Sequence, residues 1–373
     1  MRRGTIGFLI LVWLMMLFGG VRATSAAGQG TSSPPFGYGI RLTLEDDGLE
    51  KVIAQAGQLQ FDWLAVDYEW QTYQADPEQA PDFQALDRVM AAARASNMKA
   101  LISITGAPDW ALTASGPDAE ATVRLARQMT ARYPDQIRAL ELFPGANTRT
   151  GWGAGPDPAA YADFYLHVRR ALNGAYPDLS LLAGGLHEVQ AGPGREAIND
   201  LDYLNGLFAA GIDRQPLALS LRSSGASDGR LTGTGTLEPA VTRQYQAARQ
   251  VMLANDHRQG IIWMTGFAAP ADRVGAQPGT SADPGQWLQE TYLLIRSQLY
   301  IQAAFFAPAE DLGFLTSPAE GQAPGGQQLT SFIPADRDPV SSPDKSAPGR
   351  KTAGLQTALV KQLTGKTLVK KRP

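Results

Sequence analysis

The chain has no cysteine among its 373 residues. That excludes a disulfide framework, a thiol nucleophile and any thiolate metal site. Imidazoles are nearly as scarce, with His167, His187 and His257 the whole supply, which argues against a zinc enzyme. Charged residues make up 18% and the formal net charge is −3, so there is no footprint of the clustered basic surface that nucleic acid requires. The expectations are no metal, no cofactor and no nucleic-acid partner. What is plentiful is apolar content, at 44%, enough for a large core.

One apolar run stands out, from about Thr5 to Val21, preceded by Arg2 and Arg3. It has no polar face, which disfavours a core helix. The order of charge then grease is that of a secretory signal, and small residues at Val21-Arg22-Ala23 and Thr24-Ser25-Ala26-Ala27 offer cleavage positions. At about 17 residues the run is also near the lower limit for spanning a bilayer. Residues 1–27 are therefore read as a signal peptide or a membrane anchor, and 28–35 as a linker. Both readings place the remainder in a secreted or extracytoplasmic location, with membrane contact only through an uncleaved N-terminal segment.

From Phe36 onward, short β-branched or aromatic runs alternate with longer amphipathic stretches, the pattern of βαβ units and a parallel sheet. Eight strands are predicted: Phe36–Arg41, Trp63–Tyr68, Ala100–Ile104, Ile137–Phe143, Leu179–Gly184, Leu217–Leu221, Gly260–Thr265 and Ile301–Phe306. Helices are predicted over Ala85–Ser96, Ala119–Tyr133, Ala160–Ala175, Leu201–Ala210, Val241–Ala254 and Trp287–Gln298. The fold class is thus α/β, a single (β/α)8 barrel. Its main part occupies 36–315. A Pro/Gly/Gln/Ser-rich stretch, 316–350, has the composition of a disordered insertion. Residues 351–365 carry helical spacing through Leu355, Leu359, Val360 and Leu363 and are read as the closing helix, and 366–373 as a basic tail.

Several motifs then acquire a common frame. The segments Trp63-Leu64-Ala65-Val66-Asp67-Tyr68-Glu69-Trp70, Lys99-Ala100-Leu101-Ile102-Ser103-Ile104 and Ala107-Pro108-Asp109-Trp110-Ala111 resemble the second and third β/α units of clan A glycoside hydrolases, the cellulase-like group related to families five and thirty-nine. The resemblance runs from about Phe36 to Phe306 and implies a retaining glycosidase barrel. In that family the fourth strand ends like Glu-Ile-Trp-Asn-Glu-Pro-Asn, with the second Glu as acid/base. Here the stretch reads Glu141-Leu142-Phe143-Pro144-Gly145-Ala146-Asn147, followed by Trp152-Gly153. The seventh strand ends like Ile-Trp-Ile-Thr-Glu-Phe-Gly, and here reads Ile262-Trp263-Met264-Thr265-Gly266-Phe267-Ala268. The alignment sets Gly145 and Gly266 in place of the acid/base and the nucleophile. It also sets Pro144 in place of a sugar-contacting Asn, and Arg222-Ser223-Ser224 in place of a His-Pro-Tyr.

Retaining hydrolysis needs one carboxyl to attack the anomeric carbon and another, about 5 Å away, to move the proton. Glycine does neither, though a glycine at a strand-to-loop turn also serves permissive backbone angles. At the motif positions, then, no catalytic residue is expected. Glu69 and Glu188 are the candidate substitutes; they and Asp109 fall near strand C-terminal ends, and their clustering in one cleft would favour relocated chemistry. Glu141 is expected to be a buried, hydrogen-bonded carboxylate. Trp70, Trp110, Asn147, Trp152 and Trp263 are the candidate substrate-binding residues, since aromatic faces stack on pyranose rings. Two readings follow: a non-catalytic glycosidase-like barrel that binds a polysaccharide, oligosaccharide or protein partner, or an active hydrolase with relocated carboxylates.

Overall fold

The computed structural model describes residues 35–45, 48–189, 196–214, 216–223, 240–268 and 284–307. All of them belong to the unit that begins at Pro35. The expected signal or anchor, linker, 316–350 insertion, closing helix and basic tail lie outside these residues. Among the described residues no helix is long and apolar enough to cross a membrane.

Eight parallel strands close into one barrel: β1 (Gly37–Leu42), β2 (Trp63–Glu69), β3 (Lys99–Thr105), β6 (Ile137–Leu142), β7 (Ser180–His187), β8 (Ala218–Arg222), β9 (Ile261–Phe267) and β10 (Ile301–Phe306). A two-stranded hairpin, β4 (Leu112–Thr113) with β5 (Gly116–Pro117), follows β3. Every predicted strand is present, within a few residues at its ends. The largest extension is at β7, where Gly184 and Gly185 both have positive φ and the pairing with β8 shifts register, so the strand continues past its expected end.

Helices pack outside the barrel, and their starts are written in the sequence. Asp118 accepts from Ala121 N at 2.7 Å and caps Ala119–Arg132. Asp157 does the same for Pro158–Asn173, whose first residue is a proline, and Asn199 for Asp200–Ala209. Leu49–Gln58 is a helix that the periodicity reading passed over, although Leu49, Ile53 and Ala56 form its buried stripe.

Strand alternation sends one set of side chains into the barrel and the other against the helices. Inside, Ala65, Leu101, Ala139, Leu182, Trp263, Ala303 and Phe305 form a dry layer. Gly39 leaves room for the largest of these, since a Cβ there would lie 2.3 Å from the Phe305 ring. Two residues further along the strands, the same inward parity brings Arg41, Asp67, Ser103, Glu141, Arg222 and Thr265 to the C-terminal end. That layer is entirely polar.

Candidate functional site

A barrel of this type builds its sites at the C-terminal ends of its strands, and here that level is occupied by an ion network. Glu141, on β6, is fully buried. Its Oε2 accepts from Ser103 Oγ at 2.5 Å, from Arg222 Nη2 at 2.6 Å and from Arg41 Nη2 at 3.3 Å. Its Oε1 accepts from Thr265 Oγ1 at 2.6 Å. Arg222 also grips Asp67 with both terminal nitrogens, at 3.2 and 2.9 Å, and Arg41 Nη1 reaches Asp67 Oδ1 at 2.5 Å. Arg41 Nε donates to the Thr265 carbonyl. Two guanidiniums thus neutralise two carboxylates. Asp67 is the outward member, its side chain 36% exposed against 10% for Arg41, 16% for Arg222 and 0% for Glu141.

Burial by itself would raise the Glu141 pKa, but Arg222, Arg41 and the two hydroxyl donors outweigh it and bring the carboxyl down to about 2. Asp67 is held well below the usual carboxylate range in the same contest between burial and the two arginines. Both therefore stay ionised. His187, half-buried at the end of β7, is pushed below the usual imidazole value by burial and then by Arg222. Among the described residues no three His, Asp or Glu side chains come together as a metal-binding group.

The two glycines of the motif frame lie at this same end, with different surroundings. Gly145 follows β6 in a turn with positive φ at Phe143 (49°) and Gly145 (76°), and its N–H donates to Gly185 O on the β7 bulge at 2.8 Å. A Cβ there would meet His187 Cε1 at 3.0 Å. Backbone conformation and the imidazole both favour glycine at this point. Gly266 is different. It lies inside β9, has no left-handed backbone, and a Cβ would rest 3.5 Å from Arg41 Nε and 3.8 Å from Arg222 Cγ, in ordinary contact. The arginines line its surroundings, so a side chain placed there would point at the ion network.

The remaining expected residues fall in several places. Glu69 ends β2, accepts from Thr105 Oγ1 at 2.9 Å and covers Gly106, whose missing side chain makes room for it. Glu188 is exposed beyond β7, and its charge acts on the buried Asp200. Asp109 is exposed at the start of a single 3-10 turn, Asp109–Ala111. No hydrogen bond joins any two of these three acids. Trp70 and Trp152 are buried; their indole N–H groups donate to Gln74 Oε1 and Ser115 O. Trp263 is packed in the dry layer, edge-on to Trp63. Asn147 is buried and stitches loops together, donating to the carbonyls of His187 and Ile198 and accepting from His187 N–H. Trp110 is the partly exposed member, edge-on to Trp70 with its indole N–H on Gln74 O. Glu141 has the buried, bonded character its position within a strand suggested. Arg41 and Asp67 were not singled out by motif. The available signal was a charge at inward parity in each of four mainly apolar strands.

A closed barrel of eight parallel strands with outer helices, and a site level at the strand C-termini, is the architecture of glycoside hydrolases of the (β/α)8 type. Solved structures bear out the fold. The chain is similar to a GH39 enzyme from Xanthomonas axonopodis pv. citri, with TM-score 0.51 and 14% identity over 73% of this chain and 58% of that one. It is similar to a family 39 glycoside hydrolase from the gut symbiont Bacteroides cellulosilyticus, with TM-score 0.52 and 18% identity over 74% and 56% of the two chains. A third likeness is to a GH5_18 variant from Bifidobacterium longum subsp. longum in complex with Manb1-4GlcNAc, with TM-score 0.55 and 12% identity over 81% and 79%. The chain thus spans less than two thirds of the length of the family 39 enzymes. No family model matches the sequence, and no curated protein matches it.

Proposed function

We propose that this chain is a non-catalytic, extracytoplasmic glycoside-hydrolase-like barrel that binds carbohydrate at the C-terminal mouth without cleaving it. The observation that carries this reading is the Arg41–Asp67–Glu141–Arg222 network, which fills the site level of the barrel with mutually neutralised charges. A retaining enzyme needs a free carboxylate to attack and a carboxyl of raised pKa to donate a proton. Asp67 and Glu141 are both held down, the wrong direction for a general acid, and their oxygens are engaged by arginines and, at Glu141, by the hydroxyls of Ser103 and Thr265. Gly145 and Gly266 offer no carboxyl at the motif positions. Glu69, covering Gly106, and Glu188, beside Asp200, have separate partners, which weakens the relocated-acid alternative.

The ligand surface in this reading is Asp67, His187 and Trp110. A permanently ionised carboxylate accepts hydrogen bonds from sugar hydroxyls, and a partly exposed indole offers an apolar face to a pyranose. Burial of Trp70, Trp152 and Trp263 is the observation that favours a second reading, in which the mouth serves a protein partner. Titrating the purified protein with cello-oligosaccharides and with Manβ1-4GlcNAc, followed by tryptophan fluorescence, separates the two. Saturable quenching that is lost in Trp110→Phe, with the sugar recovered intact, is the expected result. No binding to either sugar would defeat carbohydrate recognition at this mouth.

A further inference from the structure

Because all eight barrel strands are parallel, every strand entry lies at one end of the barrel and every exit at the other. The two ends differ in charge. The exit end, around the mouth, exposes Glu45, Asp76, Asp82, Asp109, Glu188 and Asp202. The entry end exposes Arg94, Lys99, Arg170, Arg214 and Arg258, against the exposed acids Asp135, Asp178 and Asp256. Among the described residues no carboxylate forms an ion pair with any of these five cations. Bases at helix ends complement the helix dipole, which accounts for Arg94 and Arg170 in the last turns of their helices. It does not account for the other three: Lys99 opens β3, and Arg214 and Arg258 lie beyond the helices that precede β8 and β9.

Two further features lie at the entry end. Leu299, between the helix Pro284–Arg296 and β10, is 100% exposed, beside the partly exposed Tyr300. A cavity of about 210 Å³, between the helix Pro158–Asn173 and the entries of β7 and β8, has Arg169, Asn173, Tyr176 and Ser180 in its wall, a lining that suits a phosphate better than an apolar chain. Cations without carboxylate partners around an apolar tip and an aromatic ring are the make-up of a surface that lies on a charged bilayer. We propose that the strand-entry end of the barrel docks on an anionic phospholipid membrane, with Lys99 and the arginines against headgroup phosphates and Leu299 in the interfacial layer. The same lipid charge repels the acidic exit end, so the mouth is held away from the membrane and open to glycans. β1 begins at the docking end, so the sequence that carries the apolar run Thr5–Val21 joins the barrel on that side. The contact is nonetheless separate from that run, since it belongs to the folded barrel and depends on lipid charge and on salt.

The test uses the absence of cysteine, which makes any introduced thiol the single labelling site. The whole chain carrying Leu299→Cys, labelled with an environment-sensitive fluorophore, is mixed with vesicles that contain nitroxide lipids. One set is phosphatidylcholine alone, and the other holds about 30% phosphatidylglycerol, in the range where basic surfaces respond to lipid charge. Stronger quenching and a blue shift are expected with phosphatidylglycerol, both lost on raising salt from about 0.1 M to about 0.5 M, which shortens the Debye length. The same label at Ser115→Cys, on the exposed hairpin turn at the exit end, should show neither change. Adding Lys99→Glu and Arg258→Glu to the Leu299→Cys chain should abolish the response to phosphatidylglycerol, circular dichroism confirming the fold. Quenching at position 299 that is equal in the two lipid sets, or unmoved by salt, would mean tethering without docking and overturns the proposal. Equal quenching at 299 and 115 overturns it as well, and so does a full response in the charge-reversed chain.

Discussion

Arg222→Ala should lower the unfolding free energy by about 3–5 kcal/mol, the usual cost of removing one partner from a buried ion pair. The reason lies in Glu141. Its side chain is fully buried, and Arg222 supplies its shortest charged contact, at 2.6 Å. Without Arg222, Glu141 and Asp67 share Arg41 alone, and one negative charge inside the barrel is left without a counter-charge. Replacing both members, as Glu141→Leu with Arg222→Leu, removes one charge of each sign and leaves the Arg41–Asp67 pair balanced. Much of the loss should therefore return in the double variant, because apolar replacement of a buried pair is often near neutral. Urea unfolding followed by circular dichroism reads both. A single variant within about 1 kcal/mol of wild type would place this network among surface-like ion pairs, whose worth is of that order.

The second large effect is a loss of stability in acid. Glu141 has its folded pKa depressed from 4.5 to about 2. The sign follows from linkage: a depressed carboxyl contributes stability that is complete above its unfolded value and is lost as pH falls through the folded one. The window is therefore pH 4.5 down to about 2. A shift of that size is worth on the order of 3 kcal/mol. Asp67 is depressed as well and adds to the loss below its own ordinary value of 3.8. Denaturant unfolding at steps across this window should show the decline in wild type, and a shallower slope in the Glu141→Leu, Arg222→Leu double variant. Equal slopes in the two proteins would mean that Glu141 does not titrate as the network requires.

The barrel was legible in the sequence because its determinants are local. Strand runs such as Trp63–Tyr68 and Ala100–Ile104 are apolar apart from Asp67 and Ser103, as parallel strands covered on both sides tend to be. Helix starts carry Asp118, Asp157 and Asn199 in capping positions. The motif frame also placed Gly145 and Gly266 at the mouth, where the structure has them. The ion network was less legible, because Arg41, Asp67, Glu141 and Arg222 are separated by long stretches of chain and meet only when the barrel closes. Alternation alone assigns each to the interior, but which charge finds which partner depends on the height at which each strand enters the mouth. The tryptophans show the same limit. Position just past a strand does not distinguish Trp110, partly exposed, from Trp152, whose ring packs on Phe143, Tyr161 and Phe164.

The asymmetry between the glycines matters for attempts to install chemistry. A glutamate at Gly145 would have to adopt a left-handed backbone, at about 1–2 kcal/mol, and displace the His187 ring. At Gly266 the backbone accepts a side chain, but a new carboxylate would join Asp67 and Glu141 in competing for two arginines. Restoring both acids therefore does not recreate the two environments that separate an acid from a nucleophile.

Catalytic silence is the central claim, and covalent trapping addresses it without dependence on which sugar the mouth prefers to turn over. The protein is incubated with activated 2-deoxy-2-fluoro glycosides of the gluco and manno series, and its intact mass is recorded. These reagents accumulate a glycosyl ester wherever a carboxylate is positioned as the nucleophile of a retaining site. The account predicts an unchanged mass. A stoichiometric adduct of one sugar, mapped to Glu69, Asp67 or Glu188, would contradict it.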